Sequence, residues 1–176
     1  MAFQVKSIKP PRMNPNAYRL EIVKELNDQA QIMRRLYLKT VRTWKAPRPV
    51  FKVTAAIKGP PGPRGGVATQ QAIASVETTD ERFIWTDQGT RPHIIRSKRG
   101  RLLRFKVGGY QPKTRRRTLG SGRGKAGRSW RSAEVIHHPG TKAREFTREI
   151  QKRRRAPFFK AMREANLRGI RRAQRG

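Results

Sequence analysis

The sequence predicts an α+β fold: a long N-terminal helix, an antiparallel β-sheet of about four to six short strands, and a basic C-terminal helix laid against it. Three observations carry this. Apolar residues recur at three- and four-residue steps from Leu20 to Val41, the period of one helix face. Short apolar runs separated by Gly- and Pro-rich turns fill the middle of the chain, as strands joined by tight connections do. A second helical pattern, crowded with Lys and Arg, closes it.

Taken in order, residues 1–13 read as an extended basic arm punctuated by Pro10 and Pro11, and residues 14–176 as a single domain. Asn14 followed by Pro15 is an N-cap with proline at the first helical position, so a helix begins there. Leu20, Val23, Leu26, Ala30, Met33, Tyr37 and Val41 form its apolar stripe, and Pro47 and Pro49 end it after about Thr43. Such a helix is roughly 40 Å long, more than a small core covers, so part of the stripe is expected to meet another element or another subunit. Val50 to Lys58 reads as a strand, and the run GPPGPRGG at 59–66 as a loop. Further strands are expected at about Val67–Thr78, Arg82–Thr86, Ile94–Ile95 and Leu102–Val107, arranged as an antiparallel meander.

Gln111 to Arg128 is basic, rich in glycine and has almost nothing to bury. It reads as an arm or loop that stays mobile until it meets a partner. A last strand is expected over about Trp130–Ile136. Thr141 is then the expected N-cap of the final helix, with Phe146, Ile150, Phe158 or Phe159, Met162, Ala165 and Ile170 apolar along it and Pro157 kinking or dividing it.

Charge says what the chain touches. Its 176 residues carry 43 Lys and Arg against 11 Asp and Glu, a formal net charge of +32. That excess repels itself unless a polyanion or acidic neighbours balance it, and phosphate backbones are the usual polyanion. With only 35% apolar residues the core is expected to be small. The chain has no Cys, which removes disulfides and thiolate metal sites and fits a reducing compartment. No apolar run approaches the roughly 20 residues of a membrane span, and the N-terminus lacks a signal-peptide core.

Catalysis finds little support. The scarce carboxylates stand beside basic residues, as Glu145, Glu149 and Asp80-Glu81 do, and read as solvated ion pairs rather than as a general acid and base. His137 and His138 are adjacent, so on a strand they point to opposite faces instead of converging on a metal. No glycine run ends in Gly-Lys-Ser/Thr as a P-loop does. The chain is therefore expected to be no enzyme and to need no cofactor or metal. His93 and His138 each adjoin a proline in a turn, where a ring hydrogen-bonded to the local backbone is the expected role. Trp44, Trp85 and Trp130 stand at element ends, where core or interface anchoring is expected over base stacking.

Two basic clusters are the candidate contacts to nucleic acid or to acidic partners. One is Lys113, Arg115, Arg116, Arg117, Arg123, Lys125 and Arg128 in the arm; the other is Lys152, Arg153, Arg154 and Arg155 on the last helix. The alternative for both is a solvated basic face.

The segment Asp87-Gln-Gly-Thr-Arg-Pro-His-Ile-Ile-Arg-Ser-Lys98, then Leu102-Leu-Arg-Phe105, then His138-Pro-Gly-Thr-Lys-Ala-Arg144 with Phe146, resembles the tail-completion and neck family of long-tailed bacteriophages, the group related to the lambda minor tail protein Z. The likeness covers about Ile84 to Ile170. It implies a structural virion protein in the neck or tail, made in the host cytoplasm and assembled as a six- or twelve-fold homo-oligomeric ring. The implied neighbours are the head connector or adaptor, the tail terminator or tail tube, and packaged double-stranded DNA. It also implies that Gly89, Thr90, Pro92, His93, His138, Pro139, Gly140, Thr141 and Phe146 shape turns and subunit contacts. Six copies would carry about +190, against about 24 phosphates on 40 Å of duplex, so most of the charge must be balanced elsewhere. A ribosomal or other RNA-binding protein is the rival reading. It explains the charge equally well but gives no reason for the paired Gly-Thr and His-Pro-Gly segments.

Overall fold

The computed structural model describes residues 14–58, 71–98, 100–120 and 122–175. The expected N-terminal arm, the loop at 59–66 and the first residues of the expected second strand lie outside them. The fold is α+β, with the elements α1 (Pro15–Val41), β1 (Lys52–Lys58), β2 (Gln71–Glu77), α2 (Glu81–Gln88), β3 (His93–Arg96), β4 (Leu103–Val107), β5 (Ser129–Ala133), β6 (Val135–His138) and α3 (Phe146–Arg175). The strands form three two-stranded sheets, β1-β2, β3-β6 and β4-β5, where one meander was expected. Backbone contacts gather the chain into two compact units, divided within α1 after Gln29, within α3 before Pro157 and within the β1-β2 pair.

In the first unit, α1 starts as its sequence dictates. The Asn14 side chain accepts from the Asn16 and Ala17 amides at 3.1 and 3.3 Å, satisfying donors that a helix start leaves open. Ile22, Leu26 and Ala165 form the core, with Tyr18, Ala55, Ile57, Ala74, Phe158 and Met162 around them. Of the two candidate phenylalanines, Phe158 packs inward and Phe159 is 61% exposed. Glu21 and Glu25 meet Arg172 and Arg168. These ion pairs are exposed on the arginine side and contribute at most about 1 kcal/mol each. Burying Leu26, which is 1% exposed, outweighs them at about 2–5 kcal/mol.

The observed stripe on α1 departs from the expected one at its start, where Ile22 is buried, Val23 is half-buried and Leu20 is exposed. Ile22, Leu26, Ala30, Tyr37 and Val41 are buried, and Met33 packs against the cluster of Tyr37 and Val41. Two rows of four-residue steps, Ile22-Leu26-Ala30 and Met33-Tyr37-Val41, face inward, and Leu20 falls outside both. Helix α3 runs unbroken through Pro157. One lost backbone bond, at a residue exposed to solvent, does not stop a helix that packing holds on both sides.

The second unit is built around aromatic rings. Tyr37 stacks on Phe51 at 5.1 Å, and Phe83 meets Phe51 edge-on at 5.2 Å and Phe146 at 6.0 Å. Val41 and Ile150 complete the buried set, with Met33, Leu36, Trp44, Val76 and Leu119 against it.

Phe83 belongs to a helix, which corrects the strand expected at Arg82–Thr86. The Asp80 carboxylate accepts from the Phe83 amide at 3.1 Å and caps α2. The Asp80 cap and acidic Glu81 after it signalled a helix start; the apolar Phe83-Ile84-Trp85 run obscured it.

The expected meander is also corrected. β3 and β4 follow one another yet do not pair. Instead β3 lies antiparallel to β6, with His93 opposite His138 and Arg96 opposite Val135, and β4 lies antiparallel to β5, with Leu103 opposite Ala133 and Val107 opposite Ser129. Bridges at Thr90–Thr141 and Gln111–Lys125 extend the pairing both ways, so Thr90 to Thr141 is one nested hairpin. Its register shifts where the first strand spends Ser97 to Leu102 and the second only Glu134. The expected last strand is thereby split in two at Glu134, each half with its own partner. Nested pairing satisfies the backbone of all four strands, whereas a meander closed at the basic turn after Arg96 would leave β5 and β6 to find other edges.

Candidate functional site

The two motif segments, some fifty residues apart, are cross-strand neighbours at the closed base of this hairpin. Thr90 and Thr141 exchange backbone hydrogen bonds at 2.9 and 3.1 Å, and the Thr141 amide also reaches Thr90 Oγ1 at 2.9 Å. His93 and His138 stack with ring centroids 4.9 Å apart, and by the same register Pro92 stands opposite Pro139. Each histidine does what its turn suggested: His93 Nδ1 lies 2.9 Å from the Arg91 carbonyl, and His138 Nδ1 accepts from the Gly140 amide at 3.0 Å. His137 lies on the other face of β6, opposite Ile94.

The glycines are reciprocal. Gly89 has φ +80° and a Cβ there would lie 2.5 Å from the Thr141 carbonyl oxygen; Gly140 has φ +82° and its Cβ would strike the Thr90 carbonyl. Only glycine permits both the left-handed backbone and the close approach of the two strands.

Asp87, the first residue of the motif, organises the start of α3. Its carboxylate accepts from the Thr147 amide at 3.1 Å and its carbonyl from the Glu145 amide at 3.0 Å. This corrects Thr141 as the N-cap: α3 begins only at Phe146, because Thr141 is committed to its bridge and a side chain from α2 caps the helix instead. Phe146 is wholly buried, so it belongs to the core and is not available as a subunit contact.

The basic arm is not a free loop. Beyond the Gln111–Lys125 bridge, the Gly122 amide donates to the Lys113 carbonyl at 2.7 Å, Thr114 is buried and Leu119 packs on the aromatic core. The tip then returns to the start of α3: the Arg117 amide donates to the Arg144 carbonyl at 2.9 Å, and Arg116 and Arg117 hold the Glu145 carboxylate at 2.9 and 2.8 Å. Sequence reasoning gave the arm nothing to bury because its anchors, Thr114 and Leu119, are single residues without a period.

The hydrogen bond from Arg116, and then that from Arg117, holds the Glu145 carboxyl down to about 2. A depressed carboxylate stabilises the fold above its ordinary value, and that stability is lost as pH falls from about 4.5 through about 2. Glu145→Gln is therefore expected to lower the urea midpoint near neutral pH, with the gap to wild type closing below about pH 4. A gap that stays constant across an acid titration of the midpoints contradicts the pairing.

The expected contact residues thus sort into groups. Arg116 and Arg117 are paired with Glu145, although their side chains stay largely exposed. Arg115 and Arg128 are exposed. Lys113, Arg123 and Lys125 line a cleft of about 590 Å³, together with Lys45, Arg82 and Arg144 and walls from Trp44 and Tyr110. The cluster Lys152, Arg153, Arg154 and Arg155 occupies consecutive positions on α3, which fan through roughly 300° around the axis and make no single face; Arg153 pairs with Glu149 at 2.6 Å. Lys45, Arg82 and Arg144 were missed as site residues. They come from three separate segments, so no linear pattern marks them.

Among the tryptophans, Trp44 packs against the core as expected, while Trp85 and Trp130 are exposed. Arg104 and Lys106 each lie 4.9 Å from the Trp130 ring centroid.

No family model, curated protein or solved structure matches the chain. Among the described residues no group of three His, Cys, Asp or Glu is placed to hold a metal ion, and no helix is long and apolar enough to cross a membrane.

Proposed function

We propose that this chain is a structural protein of the bacteriophage neck or tail-completion region, assembling as a homo-oligomeric ring that joins the DNA-filled head to the tail and helps retain the genome end. The observation that carries the reading is the seam. The Gly-Thr-Arg-Pro-His and His-Pro-Gly-Thr segments, which bear the family resemblance, face one another at the hairpin base, paired at Thr90–Thr141 and His93–His138, and Asp87 just before the first orders the start of α3. That is the behaviour of a fold-defining motif rather than of chance composition.

Exposed apolar side chains support an assembling surface. Ile94 and Val135 lie on one face of the β3-β6 pair, and in the first unit Leu20, Phe159 and Leu167 are exposed. Such residues on so charged a chain fit contacts with further copies or with connector and tail proteins. Packaged DNA and acidic neighbours would balance the surplus charge. The charge itself favours a second reading, a ribosomal or other RNA-binding structural protein.

Sedimentation velocity of the purified chain, alone and with its head and tail partners, separates them. The ring reading expects discrete oligomers of one stoichiometry. Monomers alone at high concentration and with the partners present, together with stable one-to-one binding to ribosomal RNA, would replace it with the rival.

A further inference from the structure

We propose that the cleft between the hairpin tip, α2 and the start of α3 is a phosphate-binding site. The inference is independent of the ring reading, since a lone copy contains the whole cleft.

Six cations converge on it from separate stretches of chain: Lys45 after α1, Arg82 on α2, Lys113, Arg123 and Lys125 from the two sides of the hairpin, and Arg144 ahead of α3. No residue lining it is acidic. Two of the six are engaged by the fold, Arg82 with Asp80 at 2.7 Å and Lys113 Nζ with the Thr43 carbonyl at 3.1 Å. Among the described residues no ion pair involves Lys45, Arg123, Lys125 or Arg144. Like charges gathered around one concavity repel one another and raise its positive potential, so they favour an anion there.

Arg144 sharpens the argument. Its backbone is fixed on both sides, the amide donating to the Thr86 carbonyl and the carbonyl accepting from Arg117. Its Nε is nonetheless buried without a hydrogen-bond partner. A buried donor of a charged group left unmatched is destabilising, and an oxyanion accepting from the guanidinium fork removes that cost.

A phosphate fits this donor set better than a carboxylate. Arginine forks and lysine ammoniums together address its several oxygens and its higher or repeated charge. The volume lies in the range of small-ligand sites, and Trp44 and Tyr110 offer aromatic surface beside the charges for a sugar or base. Both the backbone of a nucleic acid and a free phosphate compound present this chemistry.

The test uses the full chain with two probes, a fluorescently labelled duplex DNA of arbitrary sequence read by anisotropy and inorganic pyrophosphate read by calorimetry. The variants are Arg123→Gln with Lys125→Gln, and Arg144→Lys. A second double variant of equal charge loss at two exposed residues that do not line the cleft, Lys160→Gln with Arg171→Gln, is the control, and circular dichroism melts check that all fold.

Loss of both phosphate contacts is expected to weaken duplex binding at least tenfold and to reduce the slope of log affinity against log salt by about 1.8. Arg144→Lys, which keeps the charge and loses the fork, is expected to weaken binding several-fold. Pyrophosphate is expected to compete with the duplex. If the cleft variants lose pyrophosphate and keep the duplex, the ligand is a free phosphate compound. The proposal is overturned if wild type binds neither probe, if the cleft variants bind both as wild type does, or if the control pair loses as much as the cleft pair.

Discussion

Alanine in place of Gly140 is expected to cost about 3 kcal/mol of stability and to lower the melting temperature by about 6–12 °C. Two effects add. The residue holds φ +82°, where a side chain is strained. Its Cβ would also enter the Thr90 carbonyl and lie 2.9 Å from the Arg91 carbonyl carbon. Neither neighbour is a flexible side chain that can swing aside. Both belong to the paired backbone at the hairpin base, so relief requires opening the Thr90–Thr141 bridge.

Gly89→Ala makes the same demand from the opposite strand, against Thr141 and Ala143. Because both substitutions open one seam, the double variant is expected to lose less than the two single losses combined. Thermal melts of the three variants check this; single variants melting within a degree or two of wild type would mean that the strands do not approach so closely.

Phe83→Ala carries the other large effect, a loss of about 3–5 kcal/mol. Phe83 is 4% exposed and its ring meets those of Tyr37, Trp44, Phe51 and Phe146. Truncation leaves a cavity that four large rings cannot fill by small shifts. Phe83→Leu keeps most of the volume and is expected to cost less than half as much. Urea unfolding of the two variants gives the comparison. Hydrogen exchange adds a local readout: amides of α2 should lose protection in Phe83→Ala even where the protein stays folded, since its one buried side chain holds this eight-residue helix to the core. Equal stability of the alanine and leucine variants would remove Phe83 from the centre of the core.

Particular residues show how far the sequence could be read. Asn14-Pro15 announced α1, and the four-residue rows through Leu26, Ala30, Tyr37 and Val41 announced which face is buried, because capping and periodicity are local. The prolines beside His93 and His138 announced turns in which each ring meets nearby backbone. Asp80 capped a helix that the apolar run after it disguised as a strand. The partners of β3 to β6 were misread for another reason: four short strands of similar composition admit several pairings, and only their simultaneous satisfaction selects the nested one. The arm illustrates the same limit. Its arginines were visible, but the single carboxylate that ties two of them down, Glu145, lies on the far side of the hairpin in sequence.

By itself the sequence determined the α+β class, the two long helices and most of their buried residues, the strongly positive charge, and the pair of motifs that prove to be neighbours. These follow from local backbone preference, from period and from composition, which need no knowledge of what lies across the fold. Only the tertiary structure decided that the hairpin is nested, that Asp87 caps α3, that Arg116 and Arg117 are spent on Glu145, and that Lys45, Arg82 and Arg144 join Lys113, Arg123 and Lys125 around one cleft. Each of these depends on groups remote in the chain being brought side by side, which local backbone preference and period do not encode.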